Sequence, residues 1–346
     1  MDSSRQRLLV ALAANAAFAL CACSTSADLG RGDQSVQLPD FDWDNPVNLT
    51  QNSYWDFDPD YSPDGSKIAF HSNRPPSPKN RGQIYVMNAD GSDQRALTNT
   101  EGTNYGAVWS PDGSQIAFTS ERDGNPDVYV MNADGSAQTN LSRSPDSYDA
   151  GPDWSPDGRY LAYFSGAQRP QSDEYQPSGS PYRYWNADLF ILDMKTGART
   201  RVTDSDMDDV YPSWSPDGQM LAFTSSRAGN NELYVVNIDG SDLRRITNNT
   251  FDDNAPTWMP DGNQIKYRGG PKYAQDNPDP DADQSNIYVA NLAGGQVTRV
   301  TRRPGTVYFD ATIAPNQNSA IYSAFTMNES AFRGELAEIY VVRRRE

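Results

Sequence analysis

The stretch Trp109–Gly113 reads Trp-Ser-Pro-Asp-Gly, and it decides the fold because the chain repeats it. Ser-Pro-Asp-Gly has the residue preferences of a type I turn, with Ser first, Pro second and Gly fourth. The apolar run Gln115–Phe118 follows the turn, which predicts a hairpin of two strands. Exact and degenerate copies of the tetrapeptide stand at Ser62–Gly65, Ser110–Gly113, Ser155–Gly158, Ser215–Gly218, Met259–Gly262 and Ala314–Gln317.

The spacing of these copies indicates a repeat architecture. Successive turn prolines are 44 to 60 residues apart, which is typical of one supersecondary unit repeated as a solenoid or a propeller. Each unit adds a third strand such as Val128–Met131, a second turn such as Asn132–Gly135, and a fourth strand marked by a pair such as Leu97-Thr98. The sequence therefore predicts six units of four strands each.

The two ends of the repeat region indicate a closed ring. The sixth unit ends at its third strand, Ile339–Val342, whereas a fourth-strand segment, Val47–Thr50, precedes the first unit. Pairing these two segments would leave no unpaired strand edge. The sequence therefore predicts an all-β, six-bladed β-propeller of four-stranded antiparallel blades, closed by an N-terminal strand and covering residues 45–346.

The repeated unit also carries a family resemblance. Its approximate form, Asp-x-x-Pro-x-Trp-Ser-Pro-Asp-Gly, then Ile-Ala-Phe, Ile-Tyr-Val-Met-Asn-x-Asp-Gly and Leu-Thr, resembles the WD40-like (PD40) repeat of TolB-type β-propellers over residues 46 to 346. The resemblance implies a periplasmic, protein-binding propeller, since TolB binds Pal, a peptidoglycan-associated lipoprotein, in the Tol–Pal envelope system. It covers the propeller part of TolB and not its additional N-terminal α/β domain.

The N-terminal segment resembles a bacterial lipoprotein signal. Two arginines precede a 13-residue apolar run, Leu8–Leu20, and the lipobox-like Leu20–Cys23 follows it. We expect a signal peptide over residues 1–22, lipidation of Cys23 and a flexible tether over residues 23–44. Ser24 resembles an outer-membrane sorting residue, which implies a periplasm-facing protein of a Gram-negative bacterium that contacts the membrane through its lipid anchor only. An ordinary cleaved signal is the alternative.

Composition excludes several functional classes. The chain has 29 Lys+Arg against 46 Asp+Glu and a net charge of −17, whereas a nucleic-acid binder needs a basic surface. One histidine, His71, and two cysteines cannot build a His/Cys zinc site or a disulfide scaffold. Because His71 falls within a strand, we expect it to be structural. With no Gly-x-Ser-x-Gly motif either, we expect no enzyme activity and no cofactor.

Candidate binding residues come from the face where the loops are irregular, since binding on a rigid scaffold usually uses such loops. One polar residue stands seven residues before the turn proline in each of five units, at the start of the innermost strand. We expect these residues to form a polar ring at the mouth of the central channel and to attract a cationic group. The alternative is that each member caps its loop or pairs with an arginine of a neighbouring blade, Arg74, Arg122 or Arg227. The ring consists of Asp56, Asn104, Asp149, Asp209 and Asp253.

Two insertions on the same face add further candidates. Ser165–Ala187 contains Tyr182, Tyr184 and Trp185, whose amphipathic rings suit a protein or glycan interface or could simply pack against the blades. Gly269–Ser285 contains the alternating aspartates Asp279, Asp281 and Asp283. These acids superficially suit Ca²⁺, but the EF-hand glycine and glutamate are missing, so a solvated acidic loop is favoured.

Three functional hypotheses follow from these observations. The favoured one is a monomeric, lipid-anchored scaffold that binds an envelope protein, Pal-like or another lipoprotein, in support of envelope integrity. The second is a receptor for glycans or peptidoglycan fragments that uses the Tyr/Trp-bearing insertion. The third is a hydrolase or lyase with carboxylate chemistry.

Replacement of Cys23 tests the proposed lipidation. Because the thiol is the acylated group, Cys23→Ala should change a detergent-extracted membrane protein into a soluble protein or an uncleaved precursor. Membrane fractionation followed by immunoblotting measures this change. The same membrane partitioning in the variant and the parent would contradict lipidation at Cys23.

Overall fold

Twenty-four strands make up the regular structure of the part of the chain that the computed structural model describes. That part comprises residues 41–75, 81–168, 184–271, 285–292, 295–301, 306–326 and 337–345. The strands form six four-stranded antiparallel sheets, which we call blades 1 to 6. Within each blade the strands A to D run outward from the centre, because the first strands of adjacent blades contact one another. The predicted fold is confirmed.

Blades 1 to 3 each consist of four consecutive strands, in the order A to D. Blade 1 contains β2 (Asp56–Tyr61), β3 (Lys67–Ser72), β4 (Gln83–Asn88) and β5 (Arg95–Ala96). Blade 2 contains β6 (Asn104–Trp109), β7 (Gln115–Ser120), β8 (Asp127–Asn132) and β9 (Thr139–Asn140). Blade 3 contains β10 (Ser147–Trp154), β11 (Tyr160–Gln168), β12 (Tyr184–Asp193) and β13 (Arg199–Arg201).

The remaining blades follow the same order. Blade 4 contains β14 (Asp209–Trp214), β15 (Met220–Ser225), β16 (Glu232–Asn237) and β17 (Arg244–Arg245). Blade 5 contains β18 (Phe251–Trp258), β19 (Gln264–Pro271), β20 (Asn286–Asn291) and β21 (Val297–Arg299). Blade 6 contains β22 (Thr306–Ile313), β23 (Ser319–Thr326), β24 (Glu338–Arg343) and, as its outer strand, β1 (Val47–Asn48).

The ring closes in blade 6, as predicted. Strand β1 pairs antiparallel with β24, with Val47 opposite Val341. Beyond the two paired residues, the Leu49 N–H donates to the Ile339 carbonyl at 2.8 Å, and the Ile339 N–H donates to Oγ1 of Thr50 at 3.0 Å. The N-terminal segment therefore satisfies backbone groups that β24 would otherwise leave unpaired.

The Leu-Thr pairs have a different role from the one predicted. In blades 1 to 5 strand D ends before the pair. The Thr or Ser hydroxyl of the pair accepts a hydrogen bond from the backbone N–H of the first apolar residue of strand C. In blade 1, Oγ1 of Thr98 accepts the Ile84 N–H at 2.9 Å. The other blades repeat this bond at 2.9 to 3.0 Å, with the acceptors Ser142, Thr203, Thr247, Thr301 and Thr50. A side-chain oxygen thus replaces a backbone acceptor where the outer ladder ends.

The turn aspartates have the structural role that their motif predicts. In the first turn, Oδ1 of Asp64 accepts hydrogen bonds from the Ser62 hydroxyl at 2.6 Å and the Ser66 N–H at 3.0 Å. These hydrogen bonds lower the pKa of Asp64 to about 2. Gly65 completes the turn with a φ of +70°, a conformation that glycine adopts without strain.

The predicted tether ends earlier than residue 44. Phe41 is 4% exposed and bridges Arg344 beyond the end of β24, and the Trp43 ring lies 5.6 Å from the ring of Tyr322. Two aromatic side chains therefore bring residues 41–44 onto blade 6, since burying their area outweighs the freedom of a loose chain. Cys23 and the signal segment lie outside the described residues. None of the described residues form a helix that is long and apolar enough to cross a bilayer.

Truncation tests the closure. A chain that begins at Gln51 lacks β1, Leu49 and Thr50, so it exposes the edge of β24 and removes a buried side chain from the contact between blades 6 and 1. We expect its thermal midpoint to fall by many degrees, with aggregation, relative to a chain that begins at Phe41. Differential scanning calorimetry measures the change.

A matched pair of point variants gives a finer test. Thr50→Val and Thr98→Val each remove the hydroxyl that accepts a strand C N–H, in the closing blade and in an uninterrupted blade. Each should cost about 1–3 kcal/mol of unfolding free energy, the usual penalty of a buried donor without an acceptor. A clear loss for Thr98→Val with none for Thr50→Val would show that the closing strand contributes nothing.

Candidate functional site in the central channel

A β-bulge bends the innermost strand of each blade. In blade 1 the register between β2 and β3 shifts between Phe57 and Asp60, and Asp58 within the bulge has a φ of +49°. The register shifts at the equivalent place in the other five blades. Because a bulge changes the direction of the side chains that follow it, strand A presents residues to the channel in an order that simple alternation does not predict.

The predicted polar ring does not lie at the channel mouth, and this part of the prediction is corrected. Its five side chains are inside the blades and at most 1% exposed: Asp56, Asn104, Asp149, Asp209 and Asp253. Each lies at or near the start of strand A, before the bulge. Because the side chains are buried within their own blades, a ligand in the channel does not reach them.

In three of the blades, an arginine hydrogen-bonds to the buried polar group at the start of strand A. One terminal nitrogen of Arg74 donates to Asp56 at 2.7 Å, and its Nε donates to the Ser72 hydroxyl at 2.8 Å. Its guanidinium also lies 5.1 Å from the centre of the Tyr85 ring, a cation–π contact. The alternative prediction named an arginine of a neighbouring blade, but each arginine belongs to the same blade as the group it contacts. Equivalent sets are Arg122 with Asn104, Ser120 and Tyr129, and Arg227 with Asp209, Ser225 and Tyr234.

Blades 3 and 5 satisfy the same position without that arginine. Oδ1 of Asp149 accepts the Ser147 hydroxyl at 2.9 Å, while its Oδ2 is buried without a hydrogen bond from any described residue. Asp253 accepts the amide of Asn249 at 2.7 Å, and burial raises the pKa of Asp253 to about 7. Both carboxyl groups therefore lie inside their blades and contact residues of the same blade.

The polar groups that do converge on the channel come from the bulges of blades 1 and 6. Asp58 and Asp310 occupy equivalent places and hydrogen-bond to each other, and Nδ1 of His71 lies 3.0 Å from Oδ2 of Asp58. Burial acts to raise the pKa of both carboxyl groups. At Asp58 burial is outweighed by His71, the Asp310 hydrogen bond and Arg268 acting together, which lower its pKa to about 2, whereas the Asp58 charge raises the pKa of Asp310 further. The two carboxyl groups therefore share a proton.

Two more carboxyl groups connect strands A across the ring. Oδ2 of Asp60 accepts the backbone N–H of Trp109 in the next blade at 2.9 Å, and Oδ2 of Asp153 accepts that of Trp214 at 2.7 Å. Burial raises the pKa of Asp60 and of Asp153 to about 7 in spite of these hydrogen bonds. These groups hold neighbouring blades together and place titratable oxygens at the channel.

Blade 5 supplies the positive charges. Lys266 is 7% exposed, and burial lowers the pKa of its ammonium group to about 8, with Asp310 and Asp60 acting in the opposite direction. Arg268, two residues later on β19, acts electrostatically on Asp58 and Asp310. The sequence contained a signal for both residues, because Lys266 stands where blades 1 to 4 have alanine and Arg268 stands where blades 2 and 4 have threonine.

The insertions are described only in part. Ser165–Gln168 and Tyr184–Ala187 prolong strands B and C of blade 3, with Trp185 paired to Ala167. The side chains of Tyr184 and Trp185, all of Tyr182, and the calcium candidates Asp279, Asp281 and Asp283 lie outside the described residues. In the described part of the chain, no three His, Cys, Asp or Glu side chains are placed to hold a metal ion together.

The architecture defines the class of the protein: an all-β, six-bladed propeller with a polar central channel. Residues 31–176 and 180–338 match the TolB beta propeller domain, so the chain belongs to that family. A 78-residue segment is 37% identical to the Tol-Pal system protein TolB of Alcanivorax borkumensis, and it spans 22% of this chain and 14% of that protein. The chain thus matches a small part of that relative's length.

Two solved structures share the fold. TolB from Acinetobacter baumannii has a TM-score of 0.62 at 19% identity, over 82% of this chain and 64% of that one. An oligogalacturonate lyase from Vibrio parahaemolyticus has a TM-score of 0.56 at 14% identity, over 91% of this chain and 96% of that one. At such identities the likeness shows the fold alone, which TolB and a lyase have in common.

The raised pKa of Asp153 predicts a pH-dependent stability. Since the folded state holds this proton more tightly than the unfolded chain, stability falls as the pH rises from about 4 to about 7, and the loss stays constant at higher pH. Asp153→Asn cannot ionise, and its amide oxygen can still accept the Trp214 N–H. We expect the variant to gain about 1–3 kcal/mol of unfolding free energy at pH 8, because the parent must ionise or protonate a buried carboxyl group there and the variant need not.

The gain should stay nearly constant between pH 8 and pH 7 and shrink as the pH falls from 7 to 5, as urea denaturation at several pH values will measure. Asp157→Asn is the matched control, because hydrogen bonds from Ser155 and the Arg159 backbone lower the pKa of Asp157. The control should therefore lose stability at pH 8. A pH-independent effect of Asp153→Asn would contradict the buried, proton-holding state.

Proposed function

We propose that this protein is a lipid-anchored component of the bacterial envelope whose propeller binds another envelope protein. Membership of the TolB beta propeller domain family supports this proposal, as does the similarity of one segment to the Tol-Pal system protein TolB. In this proposal Cys23 carries the lipid, and the chain acts in the periplasm beneath the outer membrane. The propeller binds its partner without catalysing a reaction.

The single observation that carries the binding role is the contrast between the two faces of the ring. On the face of the A–B and C–D turns, aspartates bond to their own turns, as Asp64 and Asp90 do. The C–D glycines there approach the preceding blade so closely that a Cβ on Gly135 would lie 2.9 Å from the carbonyl oxygen of Leu97. The aspartates and glycines of these turns are therefore committed to folding.

The opposite face, formed by the B–C and D–A loops, exposes side chains that its own turns do not use. In the loop between blades 3 and 4, Met207 is 45% exposed, and the side chain of Asp204 is 87% exposed while it forms an ion pair with Arg201 at 2.7 Å. Met207 is one of four exposed large hydrophobic residues among those described. A flexible thioether beside carboxylates suits a partner surface with an apolar spot and positive charge, and the net charge of −17 would speed the approach of such a partner.

The experiment is a comparison of two variants of the same blade. Met207→Asp alters the loop face, and Leu243→Asp alters a residue of similar exposure, 43%, beside the C–D turn. Each full-length, tagged protein is crosslinked in intact envelopes and purified, and the captured proteins are identified by mass spectrometry. We expect one envelope protein to be captured by the parent and by Leu243→Asp, and at least about tenfold less of it by Met207→Asp, the scale of losing one apolar contact residue.

Two outcomes would contradict the proposal. Equal capture by both variants and the parent would remove the loop face from the interaction. Loss of capture in Leu243→Asp alone would place the binding surface on the turn face. Circular dichroism of the purified variants excludes misfolding as the cause, because both side chains are at the surface.

A further inference from the structure

Blade 3 lacks an arginine that three other blades place beside the start of strand A. In blades 1, 2 and 4 this guanidinium group donates to a buried polar side chain and to a serine hydroxyl, and it lies over a pair of aromatic rings. The corresponding residue of blade 3 is Ala167, two residues after Ser165. The three arginines, each two residues after its serine, are Arg74, Arg122 and Arg227.

The other parts of the arginine site are present in blade 3. Asp149 lies opposite Ser165 in the register of β10 and β11, as the equivalent pairs do in blades 1, 2 and 4. Ala167 projects from the same face of the strand as Ser165. The Tyr163 and Phe190 rings stack with their centres 5.9 Å apart, against 5.7 to 5.9 Å for the ring pairs beneath the three arginines. Blade 3 thus keeps the carboxylate, the serine and the two rings, and only the cation is replaced.

The carboxylate of Asp149 lacks a second donor as well. An asparagine four residues earlier donates to Asp56 in blade 1 at 2.6 Å and to Asp253 in blade 5 at 2.7 Å, but Pro145 stands at that position in blade 3. The Ser147 hydroxyl donates to Oδ1 of Asp149, and Oδ2 is buried without a hydrogen bond from a described residue. A buried carboxylate oxygen without a donor is costly, so a donor that reaches it binds favourably.

The arginine position of blade 3 faces solvent at the loop face. Ala167 is exposed and stands near the end of β11, where the B–C loop begins. Arg199 on β13 does not occupy the position, because its guanidinium donates to the Leu141 carbonyl and the Ser144 hydroxyl, both at 3.1 Å. Among the described contacts, neither a hydrogen bond nor an ion pair joins Arg199 to Asp149. The approach to this position is therefore from the loop face and not from the channel.

We propose that blade 3 binds the guanidinium group of an external ligand between Asp149 and the ring pair of Tyr163 and Phe190. A guanidinium fits better than an ammonium group, because it is planar, donates two parallel hydrogen bonds to a carboxylate and stacks on aromatic faces. The arginines of blades 1, 2 and 4 use these properties at the same place. The ligand is an arginine side chain of another protein or a small guanidinium compound. This site goes beyond the proposed protein binding and can exist without it.

Saturation-transfer difference NMR of the purified full-length protein tests the site with N-acetylarginine amide, and N-acetyllysine amide is the comparison of equal charge. We expect the arginine compound to bind, and the lysine compound to bind about tenfold more weakly or less, since an ammonium group cannot form the paired bonds. Asp149→Asn should weaken binding of the arginine compound about tenfold or more, the effect of losing one charge-assisted contact. Asp157→Asn, in the A–B turn of the same blade, is the matched control and should bind like the parent.

Ala167→Arg gives the sharpest result, since it restores the arginine of three other blades. This variant should lose binding of N-acetylarginine amide while circular dichroism shows a folded protein. Unchanged binding in the folded variant would overturn the proposal, as would equal affinity of the parent for the two compounds, or no binding by the parent. Binding that appears only after Arg169→Gln and Arg183→Gln would also overturn it, because an arginine of this chain's own insertion would then be the occupant.

Capture from crosslinked envelopes identifies the source of the guanidinium group. Loss of the captured envelope protein in Ala167→Arg would show that a partner's arginine is the ligand. Capture equal to that of the parent, together with lost binding in the NMR titration, would show that the ligand is a small guanidinium compound. The titration needs no envelope protein, so this proposal and the one that rests on Met207 can fail separately.

Discussion

The pairing of β1 with β24 is the contact on which the rest of the structure depends. It joins residues almost 300 positions apart and turns six similar units into a ring, in which every blade is covered on both faces. The bond between Thr50 and the Ile339 N–H is the same bond that each uninterrupted blade makes with its own Thr or Ser. Closure therefore uses the ordinary chemistry of the repeat, and this explains how two residues of strand can complete a blade.

Repetition also shows where the molecule departs from what folding needs. Four blades place alanine beneath the channel, and blade 5 places Lys266 there. In three blades an arginine that hydrogen-bonds to a serine hydroxyl also contacts the residue at the start of strand A. Blade 5 has Arg268 nearer the centre instead. The channel is thus asymmetric, with cations from blade 5 opposed to carboxyl groups of blades 1 and 6. Lys266 and Arg268 are thus departures from the repeat that the other blades do without.

Much of the fold could be predicted from the sequence, because local turn chemistry repeats. Ser62–Gly65 and its copies set the A–B hairpins, and Val47–Thr50 indicated the closing strand. The channel could not be predicted in the same way. The bulge at Asp58 depends on packing between blades, and it shifts the lining residues from Asp56 to Asp58 and Asp60. Lys266 was visible as a departure from Ile-Ala-Phe, yet its burial and its position near Asp310 and Asp60 follow only from the assembled ring.

Hydrogen exchange at the Ile339 amide tests the central claim, that the N-terminal segment closes the ring as an ordinary strand. In an uninterrupted blade the equivalent amide is that of Ile84, which donates to Thr98 as Ile339 donates to Thr50. If closure is equivalent, the two amides should exchange with protection factors within about tenfold of each other, since both would open only with their blades. Rapid exchange at Ile339 beside a strongly protected Ile84 would contradict the account.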